Sequence, residues 1–324
     1  MNNVTRIATE RQRINDSIRS FFRARNYLEV ETPIVVASPG MEPNLSPFES
    51  AVHEPDGTKY DVGLITSPEY SMKKLLGQGM NKIFTLTKVF RNKESFGGCH
   101  NPEFTMLEWY QQGKSYIECM DETELLVRSV AQEFDSERFD KKFERVRVRD
   151  LFIGLVGYDL DHESIEGLED ACATHKISTH ASDTKSDLFY RLFLSLVEPT
   201  LKGRNIFIYD YPKHQAALAQ LTSDGKYGQR FELYLDGLEL CNGFTELTNA
   251  AEQRERFVEE VAERKVLGEK IFPIDEELLG LLGSIQNPTF GNALGIDRLH
   301  MVVTGSKSID DVLLFPASKL FKRA

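Results

Sequence analysis

The chain has 324 residues, with 39 lysines and arginines against 50 aspartates and glutamates, a formal charge of −11. That balance excludes a generally basic nucleic-acid binder, and a hydrophobic share of 41% with 27% charged residues excludes a disordered or fibrous chain. The length suffices to bury a large core, in one α+β unit or in two domains of roughly 150 residues each.

The four cysteines, Cys99, Cys119, Cys172 and Cys241, lie far apart without a C-x-x-C pair, the usage of reduced thiols, and this predicts a cytoplasmic protein. Arg6, Arg11, Arg13, Arg19, Arg23 and Arg25 crowd the start without the apolar stretch of a signal peptide, and no segment reads as a membrane span. Within that start Ile7, Ile14, Ile18, Phe21 and Phe22 recur at helical spacing, which predicts an amphipathic helix ending near Asn26. The extended run LEVETP then reaches Pro33. Residues 39–60, rich in Pro, Gly, Asn and Ser, read as loop with short strands, followed by strands at VGLIT (62–66), KIFTLTKVF (82–90) and FTMLEWYQQ (104–112). From about 118 to 200, acidic runs alternate with helical apolar patterns such as Leu125, Leu126 and Val130, or Leu188, Leu192 and Leu196, and predict a mostly helical insertion. Strand character returns at IFIYDYP (206–212), RFELYL (230–235) and LELCNGF (238–244), with Asp236-Gly237 as the turn between the last two. One antiparallel sheet is expected to collect these strands. Helices are predicted from Ala250 to Leu267 and from Asp275 to Leu282, and a strand at 289–294 leads into a helix from Asp297 to Val303.

The densest polar pattern is FRNKESFGGCHNPEFTMLEWY, residues 90–110. In its strand the period of two puts Phe104, Met106, Glu108 and Tyr110 on one face, so a carboxylate and a phenol share apolar neighbours. A buried carboxylate is costly unless paired, so Glu108 calls for a structural Arg, another donor or a cationic ligand. In the hairpin 230–246, alternation places Glu239, Cys241 and Gly243 on one face, with Asn242 and Glu246 close behind. Those oxygens suit Mg²⁺, and they equally suit a solvated acidic hairpin. For phosphate, Arg91 stands at a strand end and Arg298 just inside a helix start, after Gly291 and Gly295. Gly291-x-x-x-Gly295 matches neither glycine-rich nucleotide fingerprint and reads as well as turn glycines. The seven histidines form no H-E-x-x-H, and His175 and His180 lack a third ligand, which argues against zinc. Cys99 precedes His100, but sequence neighbours rarely orient as a nucleophile pair, so it reads as loop.

Taken together, these segments resemble the catalytic core of a class II aminoacyl-tRNA synthetase, closest to the lysine type, over nearly the whole chain. LEVETP with Pro33 resembles the first class motif, a dimer-interface element. Residues 90–110 resemble the second motif and its loop, and NALGIDRL after Gly291 resembles the third. TSPEYSMKKLL (66–76) and LCNGFTELTNA (240–250) match the lysine-type subgroup. The first motif begins within thirty residues of Met1, which leaves no room for an N-terminal anticodon-binding domain, so a single catalytic domain over 1–324 is expected. That, with Ala293 where the synthetases usually have Gly, resembles the elongation factor P–lysine ligase family.

The resemblance implies an α+β fold, a mainly antiparallel sheet flanked by helices, and a homodimer. It implies activation of (R)-β-lysine, or lysine, by ATP with Mg²⁺, and transfer to a lysine ε-amine of elongation factor P, without stable tRNA binding. A lysyl-tRNA synthetase-like enzyme and a non-catalytic lysine- or ATP-binding paralogue are the competing readings. Carried over by position, Ser67, Pro68, Glu69, Glu108, Tyr110, Glu246 and Ala293 would line the amino-acid pocket. Arg91, Asn92, Lys93, Asn101, Glu239, Leu240, Gly295 and Arg298 would hold ATP, with Arg91 and Arg298 stabilising charge and Glu239 with Asn242 holding the metal. Lys93 stands where relatives have Glu, with Glu94 beside it.

Overall fold

The computed structural model describes residues 3–216 and 218–321. Its strands are β1 (Leu28–Glu29), β2 (Val35–Val36), β3 (Glu49–His53), β4 (Lys59–Leu64), β5 (Lys82–Phe90), β6 (Glu103–Gln112), β7 (Glu144–Arg147), β8 (Asn205–Pro212), β9 (Tyr227–Leu235), β10 (Leu238–Thr245) and β11 (Thr289–Gly295). Eight form one sheet in the order β1-β5-β6-β11-β10-β9-β8-β7, and β2-β4-β3 form a second. The expected antiparallel sheet is antiparallel through its six central strands, while β1 runs parallel to β5 and β7 parallel to β8 at the two edges. VGLIT belongs mainly to the small sheet, because β4 pairs with β2 and β3. At the β9–β10 turn Asp236 and Gly237 both have positive φ, 57° and 79°, the backbone that a two-residue hairpin turn requires.

The helices are α1 (Asn3–Arg23), α2 (Glu69–Gly77), α3 (Tyr116–Gln132), α4 (Val148–Leu151), α5 (Ile165–Thr174), α6 (Lys185–Leu192), α7 (Ala250–Leu267), α8 (Glu276–Leu282), α9 (Ile296–Thr304) and α10 (Ala317–Leu320). Alternation along the strands divides them between two faces of the sheet. Phe84, Leu107, Trp109, Leu233 and Leu294 bury one face against Ile14, Ile18 and Phe22 of α1 and against α3 and α9. Phe22 stacks on Phe84 at 4.7 Å, and each such side chain contributes about 1.5–3 kcal/mol on burial. Ile83, Tyr110 and Phe244 turn to the other face, under α2, α7 and α8. That second face carries the polar cluster described below.

The helical segment differs from expectation at its start. Helix α3 belongs to the main core: Cys119, Met120, Leu126, Val127 and Val130 lie against the sheet, whereas Leu125 is half-exposed. A capping box fixes its entry, with Ser115 N–H and Oγ both donating to Glu118 Oε2 at 2.9 and 2.6 Å. Strand β7 then joins the sheet edge. Only from Val148 to Leu201 does a separate helical core form, from residues such as Phe152, Leu168, Phe189 and Phe193, and it closes on Ile206, Ile208, Tyr211 and Tyr234 of the sheet. Periodicity reports that a stretch is helical but not which layer it joins.

Candidate active site

Helix α2 begins directly after Ser67-Pro68, and in place of a side-chain cap on Pro68 the Glu69 N–H donates to Ser67 Oγ at 3.1 Å. This entry aims Glu69 and Lys73, one helical turn apart, at the sheet. The Lys73 Nζ lies 2.5 Å from Glu69 and 2.6 Å from Glu246 at the end of β10, and 5.5 Å from the Phe244 ring centroid. Lys73 and Glu246 are each 1% exposed. On β6, the buried Glu108 accepts from Tyr110 O–H at 2.9 Å and from Ser67 Oγ. Strand β11 completes the wall, with Gly291 opposite Tyr110 and Ala293 opposite Glu108. A Cβ on Gly291 would collide with Glu246 Oε1 and the Tyr110 ring, so the close approach of strand and carboxylate requires glycine there.

Two carboxylates thus pair with one buried ammonium, and a third, Glu108, lies within its electrostatic influence. Burial, then the charge of Glu69, pushes Glu108 up to about 8. Burial also raises Glu246, against the pull of Lys73. Burial works against the Lys73 charge, but Glu246 and Glu69 together hold its pKa above the ordinary lysine range. The pocket is short of positive charge, which a ligand bearing ammonium groups would supply.

Arg91 follows the end of β5, with its backbone N–H donating to Pro102 O at 2.9 Å and its guanidinium 5.2 Å from the Phe104 ring centroid. Its Nε is buried without a hydrogen-bond partner. Burial, with the nearby Arg298 adding to it, lowers the Arg91 pKa, against Glu42, Glu239 and Glu94. Arg298, in the first turn of α9, donates from Nη1 to Glu239 O at 2.8 Å and lies 3.1 Å from His100 Nε2 through Nη2. Two neighbouring guanidiniums, one with an unused donor, make an anion site. Asp297 anchors this turn by pairing with Arg11 of α1 and accepting from Thr105 N–H at 2.7 Å.

Ser67, Pro68, Glu69, Glu108, Tyr110, Glu246 and Ala293 therefore converge, and so do Arg91, Arg298 and Glu239. Gly295 immediately precedes α9, where a Cβ would only reach ordinary contact with Arg298 at 3.8 Å. Other expected ATP residues are engaged elsewhere. Lys93 adopts φ 61° and its side chain leaves the site to pair with Glu269 at 2.5 Å, and Glu94 instead acts on Arg91 and His100. Asn92 accepts from Lys93 N–H at 2.9 Å and is exposed. Asn101 is spent within the protein: it donates to Glu103 O at 2.6 Å and accepts from Ala317 N–H at 2.9 Å, tying α10 to β6. The Leu240 side chain lies in the core, leaving only its backbone near Arg298.

The predicted face of the hairpin is also corrected. A bulge between Glu239 and Cys241 breaks the alternation, so Cys241 turns into the main core while Glu239 remains beside Arg298. Asn242 Oδ1 accepts from Arg230 Nε at 3.0 Å, within a buried network in which Arg230 also pairs with Glu232 at 2.5 Å. Among the described residues no group of three or more His, Cys, Asp or Glu side chains is arranged to hold a metal ion. Glu239, half-exposed beside the arginines, fits a Mg²⁺ ion whose other ligands are phosphate oxygens and water; Asn242 does not.

Lys73 is absent from the sequence-derived site, and the Cys99–His100 pair stands there only as loop. Lys73 had a signal, its i,i+4 spacing from Glu69 on an apolar-faced helix. His100 and Cys99 do orient together, with Sγ 3.4 Å from Nδ1, and that hydrogen bond lowers the thiol pKa and raises that of the imidazole. A cleft of about 380 Å³ beside α2 is lined by Ser67, Tyr70 and Lys74 with residues such as Pro33, Val36 and Pro273, and by none of the arginines.

Residues 1–319 match the family described as class II tRNA synthetases of the D, K and N type. The chain is 40% identical over 322 residues to the elongation factor P–(R)-β-lysine ligase of Pseudoalteromonas translucida, covering 97% of this chain and 96% of that protein. It is 39% identical over 318 residues to the enzymes of the same name from Salmonella paratyphi A and Salmonella dublin, covering 96% of this chain and 94% of each.

Proposed function

Because the chain belongs to the class II tRNA synthetases of the D, K and N type, and within them to the elongation factor P–(R)-β-lysine ligases, we propose that its acidic pocket binds (R)-β-lysine and its arginine pair binds ATP. The protein is an ATP-dependent ligase that activates (R)-β-lysine as an acyl-adenylate and transfers it to the ε-amine of a lysine on elongation factor P. The observation that carries the assignment of residues is the separation of charge. Glu69, Glu108, Tyr110 and Glu246 surround Lys73 on one side, and Arg91 with Arg298 form an anion site on the other.

A six-carbon diamino acid would lie between them, its terminal ammonium at Glu108, Tyr110 and Glu246 and its carboxylate at Arg91. Holding the two substrates in this relation brings a carboxylate oxygen to the α-phosphorus of ATP, and positioning of this kind removes much of the barrier. As the oxygen–phosphorus bond forms, the bond to diphosphate breaks, and Arg91 and Arg298 stabilise the charge that develops. The acceptor amine then attacks the acyl carbon, AMP leaves with the bonding electron pair, and the amine loses a proton. When bound, Mg²⁺ would neutralise phosphate charge, and Glu239 would hold it. No protein nucleophile is needed. We assign this work to the chain as one catalytic unit and infer from the first motif that it acts as a homodimer.

The test is transfer of labelled (R)-β-lysine or lysine, with ATP and Mg²⁺, to purified elongation factor P in parallel with tRNA. Labelled protein and unlabelled tRNA are expected; labelled tRNA would move the assignment to a synthetase. Arg91→Ala and Glu246→Ala are expected to abolish amino-acid-dependent pyrophosphate exchange, and wild-type exchange in either variant would refute its role.

A further inference from the structure

Glu42 lies in the loop between β2 and β3 and has no place among the residues assigned above. Its Oε2 is closed off from solvent and has no hydrogen-bond partner, and among the described residues its carboxylate forms no ion pair. The loop that carries it is held firmly. The fully buried Arg264 of α7 donates from Nη1 to Glu42 O and to Leu45 O, both at 2.9 Å. Gly40 keeps the space open, since a Cβ there would lie 2.8 Å from Glu42 Oε2 and 2.8 Å from Thr66 Oγ1.

Glu42 lies beside the substrate pocket, since the Cβ that would meet its Oε2 would equally meet Oγ1 of Thr66, the residue directly before Ser67. Burial and then Glu69 raise its pKa, while Arg91 and Lys73 act in the opposite direction, so it lies within electrostatic reach of both ends of the site. On α7, Glu260 is pushed up to about 8 by burial and then by Glu42. A carboxylate oxygen closed off from water without a partner is costly, and a loop bonded to Arg264 that keeps one beside a binding pocket is explained when the ligand brings the cation. Glu69 and Glu246 already share the Lys73 ammonium, at 2.5 and 2.6 Å, and Glu246 adjoins Tyr110 and Glu108 across Gly291. The terminal ammonium of the substrate is provided for by Glu108 and Glu246. A diamino acid has one further ammonium, near the carboxylate end that Arg91 receives, and Glu42, whose charge acts on Arg91, has a carboxylate oxygen left without a partner.

We propose that Glu42 is the counter-ion of the substrate's β-ammonium and so a residue that selects (R)-β-lysine over lysine. The two isomers place this amine one carbon apart, and a site built around a buried charge discriminates strongly against a ligand that leaves it unpaired. The proposal rests on the reading of the site given above.

The experiment is pyrophosphate exchange by wild type and Glu42→Gln with (R)-β-lysine and with lysine, together with inhibition by 6-aminohexanoate, which lacks the β-amine. The expected result is a loss of kcat/KM for (R)-β-lysine of about 100-fold or more, with the preference over lysine collapsing. The KM for ATP and the inhibition constant of 6-aminohexanoate should move by less than about threefold, because neither ligand touches Glu42. Retained (R)-β-lysine turnover, or a common shift in all three constants, overturns the proposal. If Glu42→Gln does not fold, Glu42→Asp decides, since withdrawing the charge by one methylene must still weaken (R)-β-lysine selectively. Failure of the underlying reading is distinguishable, because wild type itself would then activate neither amino acid.

Discussion

A single ammonium, that of Lys73, stands against Glu69 and Glu246 in a space closed to water. Breaking a buried charge pair by removing one partner costs about 3–5 kcal/mol, so Lys73→Met is expected to lower the urea midpoint sharply and to abolish amino-acid binding. Glu108 ties pH to both stability and binding. It titrates near 4.5 in an unfolded chain and near 8 in the folded protein. Between those values the folded state keeps a proton that the unfolded state releases, so this residue's contribution to stability falls as pH rises from about 4.5 to 8, by up to ~1.4 kcal/mol per unit. Binding of the cationic substrate runs the other way, because the ionised carboxylate is the competent form, and the amino-acid KM should fall toward pH 8. Glu108→Gln should weaken both dependences, leaving the part that Glu246 contributes. Melting curves and pyrophosphate exchange across pH 5–8 check the pair, and a wild-type amino-acid KM that does not change over that range counts against it.

At the level of elements, strand β11 and the 90–103 connection show how neighbouring residues separate into working and supporting roles. On β11 the pocket wall depends on the missing side chain of Gly291, and Gly291→Ala is expected to raise the amino-acid KM at least about tenfold while circular dichroism stays unchanged. Asn101 lies in the connection that carries Arg91, yet both ends of its amide are engaged by backbone groups. Asn101→Ala should therefore cost about 1–3 kcal/mol of stability and speed amide exchange at Ala317, with little change in the KM for ATP. A large rise in that KM with exchange at Ala317 unaltered would return Asn101 to the nucleotide site. Alternation along β10 predicted one face and the bulge at Glu239 produced another, because a single extra residue reverses every side chain before it.

For the molecule as a whole, the sheet couples two cores that the linear pattern presents as a body and an insertion. The helical unit of residues 148–201 shares Ile206, Ile208, Tyr211 and Tyr234 with the sheet, so deleting residues 150–200 should expose these side chains and yield aggregated protein. A soluble deletion variant that unfolds at the wild-type midpoint would mean that the unit is energetically separate. By itself the sequence determined the helices α7 and α9, the strands β5 and β6, the hairpin turn at Asp236-Gly237 and the motifs that carry Glu69, Arg91, Glu246 and Arg298. Each of these is encoded by local periodicity, turn chemistry or a run of adjacent residues. Only the tertiary structure decided that Lys73 bridges two carboxylates, that Lys93 leaves the site while His100 joins Arg298, and that Asn242 serves Arg230. Glu42 likewise stands in a loop the sequence left unassigned, and its meaning comes from what surrounds it. These outcomes rest on contacts between distant segments and on burial, which sets the cost of each charge, and neither is written in the spacing of residues along one strand or helix.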